Sequence, residues 1–359
     1  MKKIDYYIIK KFLGTFFYSI ALLTIVIIIF DVSEKIEDFL EKEAPLYEIV
    51  FSYYLNFLPY FVNLFSYLFV FITVIFFTSK LAANTEIIAI LSAGISFRRL
   101  LRPYLISAAL LGALSFVLAN FVIPHTNIEM RVFKQKYLDN LHKEMGENIH
   151  FQINKGTFVY MERFHRSSGT AHKFSMETLD SLGQLSYKLN TDKAVFDTLT
   201  NKWKLVNYYE RYIDSLHEEL IIGNEKDTTI ALSPKDLIVI KEDYEEMDFF
   251  EIRAFIKTQK LKGSPNVVNY EIEVHKRIAF PFAAIILTII GVSLSSRKVR
   301  GGIGMHLGLG IALTFIYILF MQFTTVFAVS GNLNPVIAAW IPNLIYIFIA
   351  LYLLKRAPK

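Results

Sequence analysis

Apolar residues in this chain gather into six runs that contain no charged side chain, at 12–30, 49–79, 104–123, 278–296, 303–330 and 336–354. A helix rises about 1.5 Å per residue and a bilayer's hydrocarbon core is about 30 Å thick, so about 20 such residues cross it. Each run therefore predicts a transmembrane helix. The second and fifth exceed the requirement, which predicts tilt or an interfacial turn. The first is longer than the apolar core of a cleaved signal and has no small-residue cleavage site before Asp31, so it is read as a retained anchor.

Between the third and fourth runs the pattern changes. Residues 124–277 carry 22 basic and 24 acidic side chains and are numerous enough to fold as a domain. Their middle breaks into short alternating segments: GTFVYMERF, HKFSMETL, GQLSYKLNT, KAVFDTL, KWKLVNYYERY, HEELIIGN and DTTIAL. Strand-like segments about ten residues apart with turn signals between them predict a sandwich or jelly roll over about 145–245. Helical patterns flank it, TNIEMRVFKQKYLDNLHKEM after the third span and MDFFEIRAFIKTQKLKG before the fourth, where Gly263 is a natural stop. The expected organisation is three helices over 1–123, an inserted domain over 124–277 with helical stalks and an all-β, jellyroll-like unit, and three helices over 278–359.

Composition agrees with a membrane protein: 53% of residues are hydrophobic, only 20% are charged, and there are 32 Phe and 20 Tyr. Charge placement sets the orientation. The flanks on one side of the predicted spans hold 14 Lys and Arg against two acids, Asp5 and Glu86, which by the positive-inside rule makes that side cytoplasmic and puts both termini on it. The loop DVSEKIEDFLEKEAP on the other side has six acids against Lys35 and Lys42, and the large insert is extracytoplasmic. Nearly all of the net charge of +5 thus arises on one membrane face, and no nucleic acid is expected as a partner. Without cysteine, the insert relies on no disulfide.

Catalytic patterns are missing. RGGIGMHLGLG lacks the lysine and the preceding strand of a phosphate-binding loop, the eight His show no paired metal spacing, and no nucleophile elbow occurs. No active site, metal or cofactor is expected. Ion-coupled transport needs ionisable groups deep within spans. The candidates here are Glu48 at a span edge and His306 near a helix start, both with ordinary readings as an interfacial acid and a partnered helix-end residue. External energy is the expected driver of any transport.

Between the second and third spans, NTEIIAILSAGISFRRLLRP (84–103) is too short to cross a membrane; as a helix over 85–93 it measures about 14 Å. Asn84 is placed to cap it, Glu86 suits its first turn, and Gly94 suits its end. Helical spacing puts Ile87, Ile88, Leu91 and Ile95 on one side and Glu86, Ala89, Ile90 and Ala93 on another. Small residues and one acid suit docking into a groove of a soluble partner; a passive interfacial connector is the plainer alternative.

NTEIIAILSAGIS at this place among six spans, YEIEVHKRIAFPFA entering the fourth and NPVIAAWIPNLIY in the sixth resemble the lipopolysaccharide-export permeases LptF and LptG, over essentially the whole chain. The resemblance implies a half-transporter of the bacterial inner membrane, paired with a sister permease and driven by a cytoplasmic LptB-like ATPase dimer. Lipopolysaccharide would leave the membrane through its jellyroll toward LptC and LptA-like periplasmic proteins. In that family the helix matching 84–94 is the coupling helix, which makes Glu86, Ala89, Ala93 and Gly94 the ATPase-coupling set. Its first and fifth spans are lateral gates, where Gly304, Gly308 and Gly310 permit close helix approach, with ordinary packing as the competing reading.

Family members meet lipid A phosphates through basic residues near the outer end of the first span. Here that region holds Asp31, Glu34, Glu37 and Asp38, leaving Lys35, or Arg131, Lys134 and Lys136 after the third span, or the sister subunit, to supply the charge. RGGIG and AAWIPN look closer to LptG than to LptF. Asn56, Asn63 and Asn120 are read as formers of interhelical hydrogen bonds. Two other readings stay open: an ABC permease for another envelope lipid or for lipoproteins, a type that generally has four spans, and a non-transporting scaffold in which Glu86 is dispensable.

Overall fold

The computed structural model describes residues 3–138, 145–154, 156–165, 168–180, 182–198, 200–214, 217–232, 243–261, 267–297 and 302–357. The helices are α1 (Lys3–Glu41), α2 (Leu46–Ala83), α3 (Glu86–Ser92), α4 (Phe97–Tyr137), α5 (Phe249–Leu261), α6 (Val267–Ser295), α7 (Gly302–Val329) and α8 (Pro335–Arg356). All except α3 and α5 are long and apolar enough to cross a membrane, which makes the six expected spans. Two compact units divide the chain: a helical unit of Met1–Leu138, Glu246–Ile252 and Val268–Lys359, and a β unit of Asp139–Glu245 with Arg253–Val267.

In the helical unit, α1 buries a stripe at every fourth position, Ile8, Phe12, Phe16 and Ile20, against Val70, Val74 and Phe77 of α2 and Tyr104 and Ala108 of α4. Such spacing places side chains one above another on a helix face. Phe77 stacks on Tyr104 at 5.2 Å within this core. Helices α4 and α6 meet where Gly112 faces Pro281; a Cβ on Gly112 would lie 2.9 Å from the Pro281 carbonyl oxygen.

Two spans contain a wider turn, Ile49–Tyr54 in α2 and Leu118–Val122 in α4, each a few residues ahead of a proline, Pro59 and Pro124. Proline donates no backbone hydrogen bond, and π-type turns shift the ladder locally. The amide of Asn56 donates to the Phe51 and Ser52 carbonyls and that of Asn120 to the Phe116 carbonyl. These two residues therefore satisfy their own helices and do not bridge to others as the sequence suggested. Asn63 does bridge, accepting from Ser115 at 2.6 Å.

The β unit contains β1 (Met145–Asn154), β2 (Thr157–His165), β3 (Thr170–Leu179), β4 (Leu185–Asp197), β5 (Lys202–Asp214) and β6 (His217–Thr228). They form one antiparallel sheet in sequence order. No connection exceeds five residues, and links that short pair each strand with its predecessor. The all-β insert is as expected, and its described strands follow one another as a meander. The sheet curls over Val159, Phe164, Phe174, Leu189, Trp203 and Leu205, and Trp203 donates to the Leu232 carbonyl at 2.8 Å to close the core.

A crease crosses this sheet. Lys173, Asp192 and Asn207 lie at matching register positions of β3, β4 and β5, and Lys173 and Asn207 have positive φ, 47° and 53°. Inward side chains on either side of it are three residues apart instead of two: Ala171 and Phe174, Thr191 and Ala194, Leu205 and Tyr208. Thr191 repairs the ladder there, its hydroxyl donating to Val206 O at 2.6 Å and accepting from Val206 N at 3.2 Å. GQLSYKLNT and KAVFDTL, expected as two strands, are one strand folded at Asp192.

Candidate functional site

Two left-handed residues hold α3 in place: Thr85 before it (φ 60°) and Gly94 after it (φ 81°). Only at glycine is this conformation free of steric cost, so Gly94 supplies the exit turn that the sequence suggested. At the entry Asn84 makes no cap. The Thr85 carbonyl accepts from Ala89 N at 2.9 Å to begin the helix, while the Asn84 amide reaches Glu86 Oε1 at 3.5 Å.

Ile87 is buried in the core of the helical unit, and Ile90 and Leu91 pack on the same core. Ile88, Ala89, Ser92 and Ala93 are exposed. The expected faces thus exchange one residue each: Ile88 turns outward and Ile90 inward. With Ile87 as the anchor, positions i, i+3 and i+4 face the core, which selects 87, 90 and 91.

Glu86 stands at the edge of the exposed strip and accepts from the Tyr7 hydroxyl of α1 at 3.1 Å. Three residues beyond the Ser96 cap of α4, Arg99 donates through both Nη atoms to the two carboxylate oxygens of Asp5, each at 2.7 Å. Asp5 is buried. The sequence reading missed Asp5, Tyr7 and Arg99 as partners in this site; Asp5 is the one acid in the basic N-terminal flank, but nothing in the sequence pairs it with a residue 94 positions away.

The three glycines of α7 divide. Among the described residues, Gly304 and Gly308 have nothing within 4 Å of where a Cβ would stand, whereas Gly310 packs against Ile75 and Phe71 of α2. Between them His306 is buried, with Nδ1 2.9 Å from the Ser79 hydroxyl. The basic candidates also divide. Lys35 is bonded to Asp31 one turn before it on α1 and to the Tyr53 hydroxyl of α2, and Tyr54 donates to the same Asp31 at 3.1 Å. Arg131 pairs with Glu246 at 2.8 Å and Lys136 with Glu48 at 3.1 Å. Lys134 has no ion-pair partner among the described residues. No group of three His, Asp or Glu is placed to hold a metal among the described residues.

Six apolar spans, an antiparallel sheet inserted between the third and fourth, and a short helix held on the span core between the second and third define a multi-pass membrane protein with an inserted β domain. The chain matches the family described as lipopolysaccharide export system permease LptF/LptG over residues 6–356, nearly its whole length. It belongs to that family, whose work is lipopolysaccharide export. None of the curated proteins compared with the chain is similar to it.

Proposed function

We propose that the chain is one half of an ABC transporter that extracts lipopolysaccharide from the inner membrane and passes it to a periplasmic protein bridge, with ATP hydrolysed by a separate LptB-like ATPase dimer. The observation that carries this reading is the exposed strip Ile88, Ala89, Ser92 and Ala93 on a helix fixed at both ends, in a lipopolysaccharide-export permease. The two alanines let a partner's backbone approach closely, Ile88 offers an apolar contact, and Glu86 presents a carboxylate to a partner cation. Basic flanks support a cytoplasmic side for α3 and both termini. The β unit then faces the periplasm, where it meets LptC and LptA-like proteins.

The outward faces of α1 and α7, the two spans least covered by their own chain, are the surfaces for the sister permease, with Gly304 and Gly308 on one of them. RGGIG and AAWIPN favour the LptG half. Lys134 supplies the headgroup charge from this chain, because Lys35 and Arg131 already serve carboxylates of their own.

Co-purification tests the reading directly. Glu86→Lys and Ala89→Trp in the complete assembly are expected to lose the ATPase while the permease pair stays in the membrane. Normal ATPase recovery and normal lipopolysaccharide export in both variants would refute the docking role of α3.

A further inference from the structure

Helix α1 is tied by polar groups at both ends. Near its start, Asp5 takes the Arg99 fork at two points and Tyr7 bonds Glu86, so the contacts bracket α3, one on the residue that begins it and one on the helix that follows it. A bidentate guanidinium–carboxylate pair fixes orientation as well as distance. Near its end, Asp31 and Lys35 bind Tyr53 and Tyr54 at the start of α2. Between Ile20 and Phe39 no residue of α1 is buried.

Nothing interrupts the rod. Helices α2, α4, α6 and α8 contain internal prolines, Pro59, Pro103, Pro281 and Pro342, and α1 has none. From Asp5 to Lys35 its length is about 45 Å, so a small rotation at the pinned end becomes a larger displacement at the other.

We propose that the Asp5–Arg99 fork, assisted by the Tyr7–Glu86 contact, is the linkage that turns movement of α3 into movement of α1, with α1 as a lever pinned by Ile8, Phe12, Phe16 and Ile20 that carries the motion to its outer end, where Asp31, Lys35 and Phe39 meet α2. The inference rests on the reading of α3 as the ATPase dock. An ordinary exposed ion pair contributes little. This one joins segments 94 residues apart through a buried carboxylate, so losing Arg99 strands a charge with a strong demand for a partner. Asp5 and Arg99 act here as positioning residues.

The test uses the full complex of this chain, its sister permease and the ATPase in proteoliposomes, and reads lipopolysaccharide released per ATP hydrolysed. Asp5→Asn and Arg99→Gln are expected to keep ATP hydrolysis within about twofold of native while release per ATP falls about tenfold or more. The exchange Asp5→Arg with Arg99→Asp is expected to restore most of it. Because the chain has no cysteine, an Asp5→Cys, Arg99→Cys pair can be bridged by a short reducible bis-thiol reagent. Coupling should return on bridging and vanish on reduction.

The lever is overturned if the single variants release lipopolysaccharide at the native yield per ATP. It is equally overturned if hydrolysis and release fall together and neither exchange nor bridge restores them, which marks a fork that only holds the fold. Failure of the docking reading looks different, since Glu86→Lys would then assemble with the ATPase normally.

Discussion

The Tyr317 hydroxyl donates to the Asn343 side-chain oxygen at 2.9 Å, joining α7 to α8 where both residues are buried. The Asn343 amide then donates to the Ala279 carbonyl of α6, also at 2.9 Å, so one side chain holds three helices. Hydrogen bonds between membrane helices average about 0.6 kcal/mol and reach about 1.7 kcal/mol. Removing Asn343 ends two of them at once. Asn343→Leu is expected to destabilise the protein by about 1–2 kcal/mol, and Tyr317→Phe, which ends one, by about half as much. Thermal unfolding in detergent measures both, and equal stability of Asn343→Leu and native protein would remove the node from the account.

The glycines predict contrasting costs. A methyl at Gly112 meets the Pro281 carbonyl oxygen at 2.9 Å, and backbone cannot swing aside, so Gly112→Ala must push α4 from α6. Overpacking of this kind costs about 1–3 kcal/mol. At Gly310 the obstacle is the terminal methyl of Ile75, which can rotate, and the cost is smaller. At Gly304 and Gly308 a Cβ has no neighbour within 4 Å among the described residues, so Gly304→Leu and Gly308→Leu start into open space. They are expected to leave the isolated chain's melting temperature unchanged and to weaken recovery of the sister permease; normal pairing in both variants counts against α7 as an interface.

Length and hydrophobicity made the six spans legible, because a lipid-facing helix has to be apolar nearly all round. The β unit was legible segment by segment, and its misreadings share one cause. The sequence pattern ends strands after Thr191 and after Asn224, at or beside the line where the sheet creases and alternation slips by one. A two-residue period detects faces and has no means of telling a crease from a turn. The short helix α3 was visible by its isolation, but the orientation of its faces was not, since Thr85 takes a left-handed conformation and Ile87 becomes the anchor. Asp5 and Arg99 meet only after α1, α2 and α4 have packed, and single-chain patterns hold no trace of that.

His172 predicts a pH response of the β unit. It sits opposite Arg163 on β2 and Lys193 on β4, with its ring 5.2 Å from that of His165. Burial first, and then the positive charge of His165, Lys193 and Arg163, hold its pKa below the ordinary value of 6.5, against a smaller opposing pull from Glu162. The unfolded chain therefore takes up this proton at a higher pH than the folded one, and stability rises with pH in the interval between the two values. The contribution is complete above about pH 7 and is lost as the pH falls below about 6.5 toward the folded value. Glu162, whose own pKa is lowered by its bond to Lys173, acts below its ordinary 4.5 and leaves this window clear. Trp203 fluorescence in a Trp340→Phe background should show melting temperature falling on acidification, and His172→Gln should flatten the slope. An unchanged slope in that variant assigns the response elsewhere.

Headgroup contact should follow unpaired charge and not simple proximity to the first span. Lys35 is close to neutralised by Asp31, which lies one turn away and is itself held by Tyr54. Lys134 on α4 has no such partner among the described residues. A charge-assisted hydrogen bond contributes about 1.5–3 kcal/mol, so Lys134→Gln is expected to weaken binding of lipopolysaccharide to the detergent-solubilised complex about tenfold. Lys35→Gln exposes Asp31 without its counter-charge, and its effect should be reversed by Asp31→Asn in the same chain, because the pair acts as a neutral unit. Asp31→Asn alone releases the Lys35 ammonium and is expected to tighten binding. If Lys35→Gln and Lys35→Gln with Asp31→Asn weaken binding equally, and more than Lys134→Gln does, then Lys35 leaves Asp31 to meet the phosphate, and the closed Asp31–Lys35 pair belongs to the lipid-free state.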